Sequence, residues 1–232
     1  MDKLAIAQRV FRESGRGGNV PLTSVGAQSD VARVFDAVSD AYRDIQQMQH
    51  GWRWMSREGV GTVTNVGGMR YTGAALGLLD FGRLRPHRGG GLDDAYTVRA
   101  FDPMAPATVW ALRWVPEDAF ARIAMDVPAA AGAPQLWSVS RAGELLVAPT
   151  PDRDYRIKLD YIVADEELSA DNAVPSMPAE HHILIAWMAL ERIGDYDAAA
   201  EVVARARKYA EQALNALLAR QGTRISVARL RL

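Results

Sequence analysis

The sequence predicts an α+β protein: an antiparallel helical bundle, a β-rich insertion of sandwich or barrel-like form, and an extended C-terminal tail. Three observations predict it. The stretch Gln28–Met55 repeats its apolar residues at spacings of three and four, the stripe of an amphipathic helix. From Gly59 the period shortens and β-branched residues stand between glycines, which is strand and turn chemistry. After Pro178 helical periodicity returns in two long runs. Apolar helix faces must be buried against other elements, and the candidates here lie on either side of the strand-rich middle. The chain therefore divides into a bundle of residues 1–56 and 178–222, an insertion of 57–177 and a docking tail of 223–232.

Taken in order, Leu4, Ile6, Ala7, Val10 and Phe11 predict a short first helix closed by Gly15, and the glycines and Pro21 that follow predict a loop. In the second helix, expected from Asp30 to Gln49, Val31, Val34, Phe35, Val38, Tyr42, Ile45 and Met48 form the buried stripe, and Gly51 is expected to end it. Its opposite face carries Asp30, Arg33, Asp36, Asp40 and Asp44 and is expected to meet water or a neighbouring subunit. Trp52, Trp54 and Met55 follow at once and are read as the hinge where helix gives way to strand.

In the middle, Val60–Thr64, Tyr96–Phe101 and Val109–Val115 read as strands, the last alternating as one continuous run. His87–Asp94, with three consecutive glycines, reads as a loop. Pro116, Glu117 and Asp118 open a short helix. Pro128–Pro134 reads as a linker. Three strands follow, the first two joined at Ala142–Gly143. The third shows Tyr155, Ile157, Leu159, Tyr161 and Val163 on one face, the alternation of a strand with one solvated side. An acidic loop leads to a buried helix, Ile183–Ile193, and then to an alanine-rich helix expected to be capped by Asp197 and ended by Gly222. The last ten residues combine Arg224, Arg229 and Arg231 with Ile225, Val227, Leu230 and Leu232, a composition suited to docking on another chain by strand addition.

Composition narrows the function. A net charge of -1 argues against a general nucleic-acid or membrane binder. With no cysteine there is no disulfide and no thiolate zinc site. The N-terminus does not read as a signal peptide, and the longest apolar run, Ile183–Leu190, is far too short to span a bilayer. No phosphate-cradle, dinucleotide or nucleophile-elbow motif occurs. Glu180, His181 and His182 are adjacent, so they fall on different helix faces and make a poor metal box. No catalytic residue, metal or cofactor is expected. The six tryptophans are spread over many elements and suit a core or a subunit interface better than a ligand groove.

Four stretches together resemble one known group. They are D-A-Y-R-D-I-Q-Q-M-Q-H-G-W-R-W-M, L-L-V-A-P-T-P-D-R-D-Y-R-I-K-L-D-Y, V-P-S-M-P-A-E-H-H-I-L-I-A-W-M-A-L and Y-D-A-A-A-E-V-V-A-R-A-R-K-Y. In that order they resemble the head-to-tail adaptor (connector) proteins of tailed bacteriophages, particularly those of short-tailed phages. The resemblance implies a structural virion protein of the neck, assembled in the host cytoplasm, with no enzymatic activity. It implies a ring, commonly a dodecamer, that binds the portal protein, extends the DNA channel without reading sequence, and seats the next tail or nozzle protein. It also makes the Thr223–Leu232 tail the portal grip, through Arg224, Ile225, Val227, Arg229, Leu230, Arg231 and Leu232. Two other readings stay open: another neck or tail component (stopper, terminator or tail-tube protein), and a carbohydrate-binding module using Trp110, Trp114 or Trp137 as platforms.

Overall fold

The structure is a computed structural model and describes residues 1–15, 23–24, 29–49, 51–64, 68–84, 98–126, 131–197 and 199–221. The chain divides into two compact units, Met1–Met55 with Asp165–Leu232, and Ser56–Ala164. The loop expected between Gly15 and Pro21, the His87–Asp94 loop and the whole 223–232 tail lie outside the described residues.

In the first unit, α1 (Lys3–Glu13) is capped by Asp2, whose carboxylate accepts the Ala5 N–H at 2.8 Å. Helix α2 (Ser29–Gln47) buries Val34, Phe35, Val38, Tyr42 and Ile45 of the expected stripe, together with Ala37 and Ala41. Met48 does not join them and is 45% exposed. The helix stops at Gln47, so its register no longer points the next side chain at the core. A 3₁₀ turn, Arg53–Met55, ends this half of the unit.

The unit resumes with a strap, 165–178, of which the sequence reading assigned all but Pro178 to the insertion. Its backbone accepts the Lys3 and Leu4 N–H groups at Ala173 and Asp171, and the Lys3 ammonium at Leu168. A second 3₁₀ turn, Ala179–His181, leads into α4 (His182–Tyr196), and α5 (Ala200–Gln221) completes the unit. Asp197 ends α4 rather than opening α5.

The second unit holds nine strands and one helix among the described residues: β1 (Ser56–Val63), β2 (Arg70–Tyr71), β3 (Phe81–Leu84), β4 (Val98–Asp102), β5 (Ala105–Ala111), β6 (Arg113–Trp114), α3 (Glu117–Asp126), β7 (Leu136–Val139), β8 (Leu145–Ala148) and β9 (Tyr155–Val163). One sheet runs β1-β9-β4-β5, with β3 also on β9; the other runs β2-β8-β7-β6. Strand β1 pairs with β9 along its whole length, from Ser56 opposite Ile162 to Val63 opposite Tyr155.

The inner faces meet over a core of Val63, Tyr71, Leu84, Val98, Trp137 and Ile157 with their neighbours. Strand β8 is buried on both faces: Leu145 and Val147 enter that core, while Leu146 and Ala148 pack with Phe120 of α3. That explains its unbroken apolar run. Gly143, at φ 80°, makes the β7–β8 turn. Gly82 sits at the β3 bulge, where an added Cβ would meet the Ala164 nitrogen at 2.7 Å.

Two expectations are corrected here. The run Val109–Val115 is not one strand, because the chain changes sheets at Leu112. Leu112 is fully buried and donates its N–H to the Val98 carbonyl at 3.0 Å, so alternation continues across a corner that the pattern cannot show. The antiparallel helical bundle is also corrected. The architecture is mixed α+β, with five α-helices distributed along the described chain and two sheets. Helix α3 lies among the strands and packs on β7, and α5 packs along α4 while burying only Ala206, Ala210 and Leu217. A bundle needs every helix to contribute a broad apolar stripe to one core, and α5 does not.

Candidate functional site

The described residues that bear on function are those where the helical unit receives its chain ends and those on its outer helix faces. Trp52 is fully buried and donates its indole N–H to the Ile45 carbonyl at 2.6 Å. Ile45 lies in the last turn of α2, whose carbonyls have no intrahelical partner, so the indole caps that end. The ring stacks on Trp54 at 4.6 Å and 21°. Met55, 2% exposed, closes the 3₁₀ turn by donating its N–H to the Trp52 carbonyl. The structure thus brings Trp52, Trp54 and Met55 into one knot. The indole nitrogen of Trp54 is buried with no hydrogen-bond partner.

A second knot ties the strap to α2. Gln46 and Glu166 exchange two bonds: the Gln46 amide donates to the Glu166 carbonyl at 3.0 Å, and the Glu166 N–H donates to Gln46 Oε1 at 2.8 Å. The Tyr42 hydroxyl donates to Glu166 Oε2 at 2.6 Å, and the Ser176 N–H donates to the same oxygen at 2.9 Å. Burial first, and the Glu166 bond second, push the Tyr42 phenol above its ordinary range, so it stays a donor. Sequence reasoning put Tyr42 in the core and left Glu166 within an acidic loop, and nothing local links them. Ser24 and Thr23 donate to Asp171 and hold its carboxyl below the usual range.

The histidine pair is structural in its contacts. His182 is buried and donates Nε2–H to the Met177 carbonyl at 2.8 Å. His181 is also buried, its Nε2 has no hydrogen-bond partner, and burial lowers its pKa. Among the described residues no group of three or more His, Asp or Glu side chains is placed to hold a metal ion. Trp137 is fully buried in the inter-sheet core and offers no platform. Trp110 is half-buried and spends its indole N–H on the Pro134 carbonyl at 2.6 Å. No helix among the described residues is long and apolar enough to cross a membrane.

The outer helix faces are set by α4. Trp187, Glu191 and Gly194 face α5, through the 4.9 Å stack of Trp187 on Tyr209, the Glu191–Arg207 ion pair at 2.8 Å, and the approach of Gly194 to Val203. Arg192 and Tyr196 face α2, through the pairing of Arg192 with Asp44 and the seating of Arg33 over the Tyr196 ring at 4.0 Å. With 3.6 residues per turn, these two faces of α4 stand about 150° apart, so α2 and α5 occupy opposite flanks. The α2 flank, with the start of the strap, is acidic: Asp30, Asp36, Asp40, Asp44, Asp165 and Glu167 outnumber Arg33, Arg43 and Arg192.

The arrangement offers knots and charged helix flanks rather than a reacting centre. A family model described as SU10 adaptor protein matches residues 1–231. The chain belongs to that family. It is therefore a phage adaptor, a structural protein of the virion neck and not a member of a known enzyme family. No curated protein matches the adaptor's sequence.

Proposed function

We propose that this adaptor is the head-to-tail adaptor of a short-tailed phage. Copies form a ring, a dodecamer by the resemblance, that binds the portal protein, carries the DNA channel onward and seats the next tail or nozzle protein. The family match along residues 1–231 is the observation that carries the reading. A net charge of -1 supports it, since a channel wall must let DNA pass rather than hold it through many phosphate contacts. In this reading the unit of Met1–Met55 with Asp165 onward is the scaffold, Ser56–Ala164 is the insertion, and Trp52, Trp54 and Met55 form the hinge between them. Arg224, Ile225, Val227, Arg229, Leu230, Arg231 and Leu232 grip the portal.

The test is co-assembly with the portal protein of the same phage, read by negative-stain microscopy. The expected result is a ring seated on the portal, lost on deleting residues 223–232 while the circular-dichroism spectrum stays as in the full chain. An intact chain that never associates with portal would sink the proposal. A deletion that unfolds the protein would return the tail to the protein's own core.

A further inference from the structure

We infer that Tyr42 and Gln46 of α2 lock the hinge between the two units by holding Glu166, so that the insertion turns freely only when that lock is open. The inference rests on the hinge reading above and adds the second strand of the hinge and the residues that close it. The chain crosses between the units twice, at Met55–Ser56 and at Ala164–Asp165. Neither crossing has slack. Met55 donates its N–H to the Trp52 carbonyl, and Ser56 beside it is already paired with Ile162. Ala164 donates its N–H to the Asp80 carbonyl, and Asp165 beside it accepts from the Gln47 amide at 3.0 Å. Strands β1 and β9 are paired neighbours, so the two crossings run side by side, about 5 Å apart. Two short tethers resist sliding and twisting and leave one soft motion, rotation about the line that joins them.

Resistance to that rotation has to reach the crossings from the body of a unit, and the last turn of α2 reaches both. Ile45 holds the first through the Trp52 indole at 2.6 Å. Gln46, 2% exposed, holds the second: its carboxamide takes both backbone groups of Glu166, at 3.0 and 2.8 Å. Tyr42 lies one turn earlier on the same helix face and donates to the Glu166 carboxylate at 2.6 Å. Glu166 is thereby held by backbone and side chain alike, two residues beyond Ala164. A buried carboxamide carries a desolvation cost that its bonds to Glu166 offset, so position 46 serves the grip rather than the packing. With the lock closed, the insertion meets the next tail protein without the entropy cost of being ordered on docking.

Distances between the units test this in the free chain, so the outcome does not depend on the portal. The chain has no cysteine, and Gln212→Cys on α5 with Thr108→Cys on β5, both exposed positions, take a pair of spin labels. Double electron–electron resonance should give one narrow distance distribution for the chain with Tyr42 and Gln46 in place. Tyr42→Phe with Gln46→Met keeps both side-chain volumes, removes the bonds to Glu166, and should widen the distribution at least twofold. Gln47→Ala, which removes only an exposed bond, should leave it narrow; widening there would move the lock off Gln46 and Tyr42 and overturn the assignment. Circular dichroism establishes that the double variant is folded. If it is not, Gln46→Met alone replaces it, with a smaller widening expected. A folded variant whose distribution matches that of the unaltered lock overturns the inference. A distribution that stays narrow when Trp52→Phe is added as well sinks the hinge reading itself.

Discussion

Replacing Trp52 separates two contributions that the structure puts in one side chain. Trp52 fills a fully buried position against α2 and caps its end through the 2.6 Å bond to the Ile45 carbonyl. Trp52→Phe keeps most of the ring volume and the means to stack on Trp54, but leaves that carbonyl without its donor. A buried acceptor stripped of its partner costs about 1–2 kcal/mol. Trp52→Ala removes the packing as well and should cost about 3–5 kcal/mol, the range for emptying an aromatic site. For a chain of this size each kcal/mol lowers the melting temperature by about 2–4 °C. The assay is urea unfolding followed by the helical far-UV signal. Intermediate stability for Trp52→Phe is the expected result. A Phe variant as stable as the unaltered protein would show that the indole bond does not hold the end of α2. A Phe variant as weak as the Ala variant would show that packing volume counts for little there.

Tyr42→Phe removes one donor to Glu166 while Ser176 keeps the other, so a loss of about 1.5 kcal/mol is expected for a bond to a charged group; denaturant titration checks it, and a loss below a few tenths would show that the Tyr42 bond does not help to hold the strap. Burial raises the Tyr42 phenol and pushes Tyr71 up to about 12. Both shifts favour the protonated phenol in the fold, so their stabilisation is fully present below the unfolded tyrosine value of about 10 and is lost as pH rises through the folded values. Urea midpoints should fall above about pH 10, less steeply in the Tyr42→Phe, Tyr71→Phe double variant; an unchanged slope there would assign the alkaline loss elsewhere. Gly82→Ala should destabilise far more than Gly143→Ala. The first puts a Cβ 2.7 Å from the backbone of Ala164, whereas the second meets no atom within 4 Å and costs only the left-handed conformation, about 1 kcal/mol. Melting temperatures in the reverse order would contradict the close approach of β3 to the end of β9.

Much of the fold was legible because local pattern and burial agreed. Strand β9 alternates and buries Tyr155, Ile157, Leu159 and Tyr161 as its pattern predicts, and the β7–β8 turn carries its glycine where φ is positive. Alternation failed at Leu112, which stays in phase while the chain leaves one sheet for the other. Helical periodicity failed at Met48, one residue beyond the end of α2. In the candidate site, Trp52, Trp54 and Met55 were legible as bulky apolar residues at a change of period. The capping role of the Trp52 indole was not, since it depends on a carbonyl seven residues back.

The sequence by itself determined where the helices and most of the longer strands lie, that most bury one face, and that 1–231 carries the pattern of its family, because spacing and composition act over a few residues. Only the tertiary structure decided that Gln46 and Tyr42 bind a strap 120 and more residues away, and that α2 and α5 flank α4 on opposite sides. It also decided that α5 is left with an open face instead of closing a bundle. Those outcomes depend on which faces meet, and a chain's local periodicity states that a face must be covered without stating what covers it.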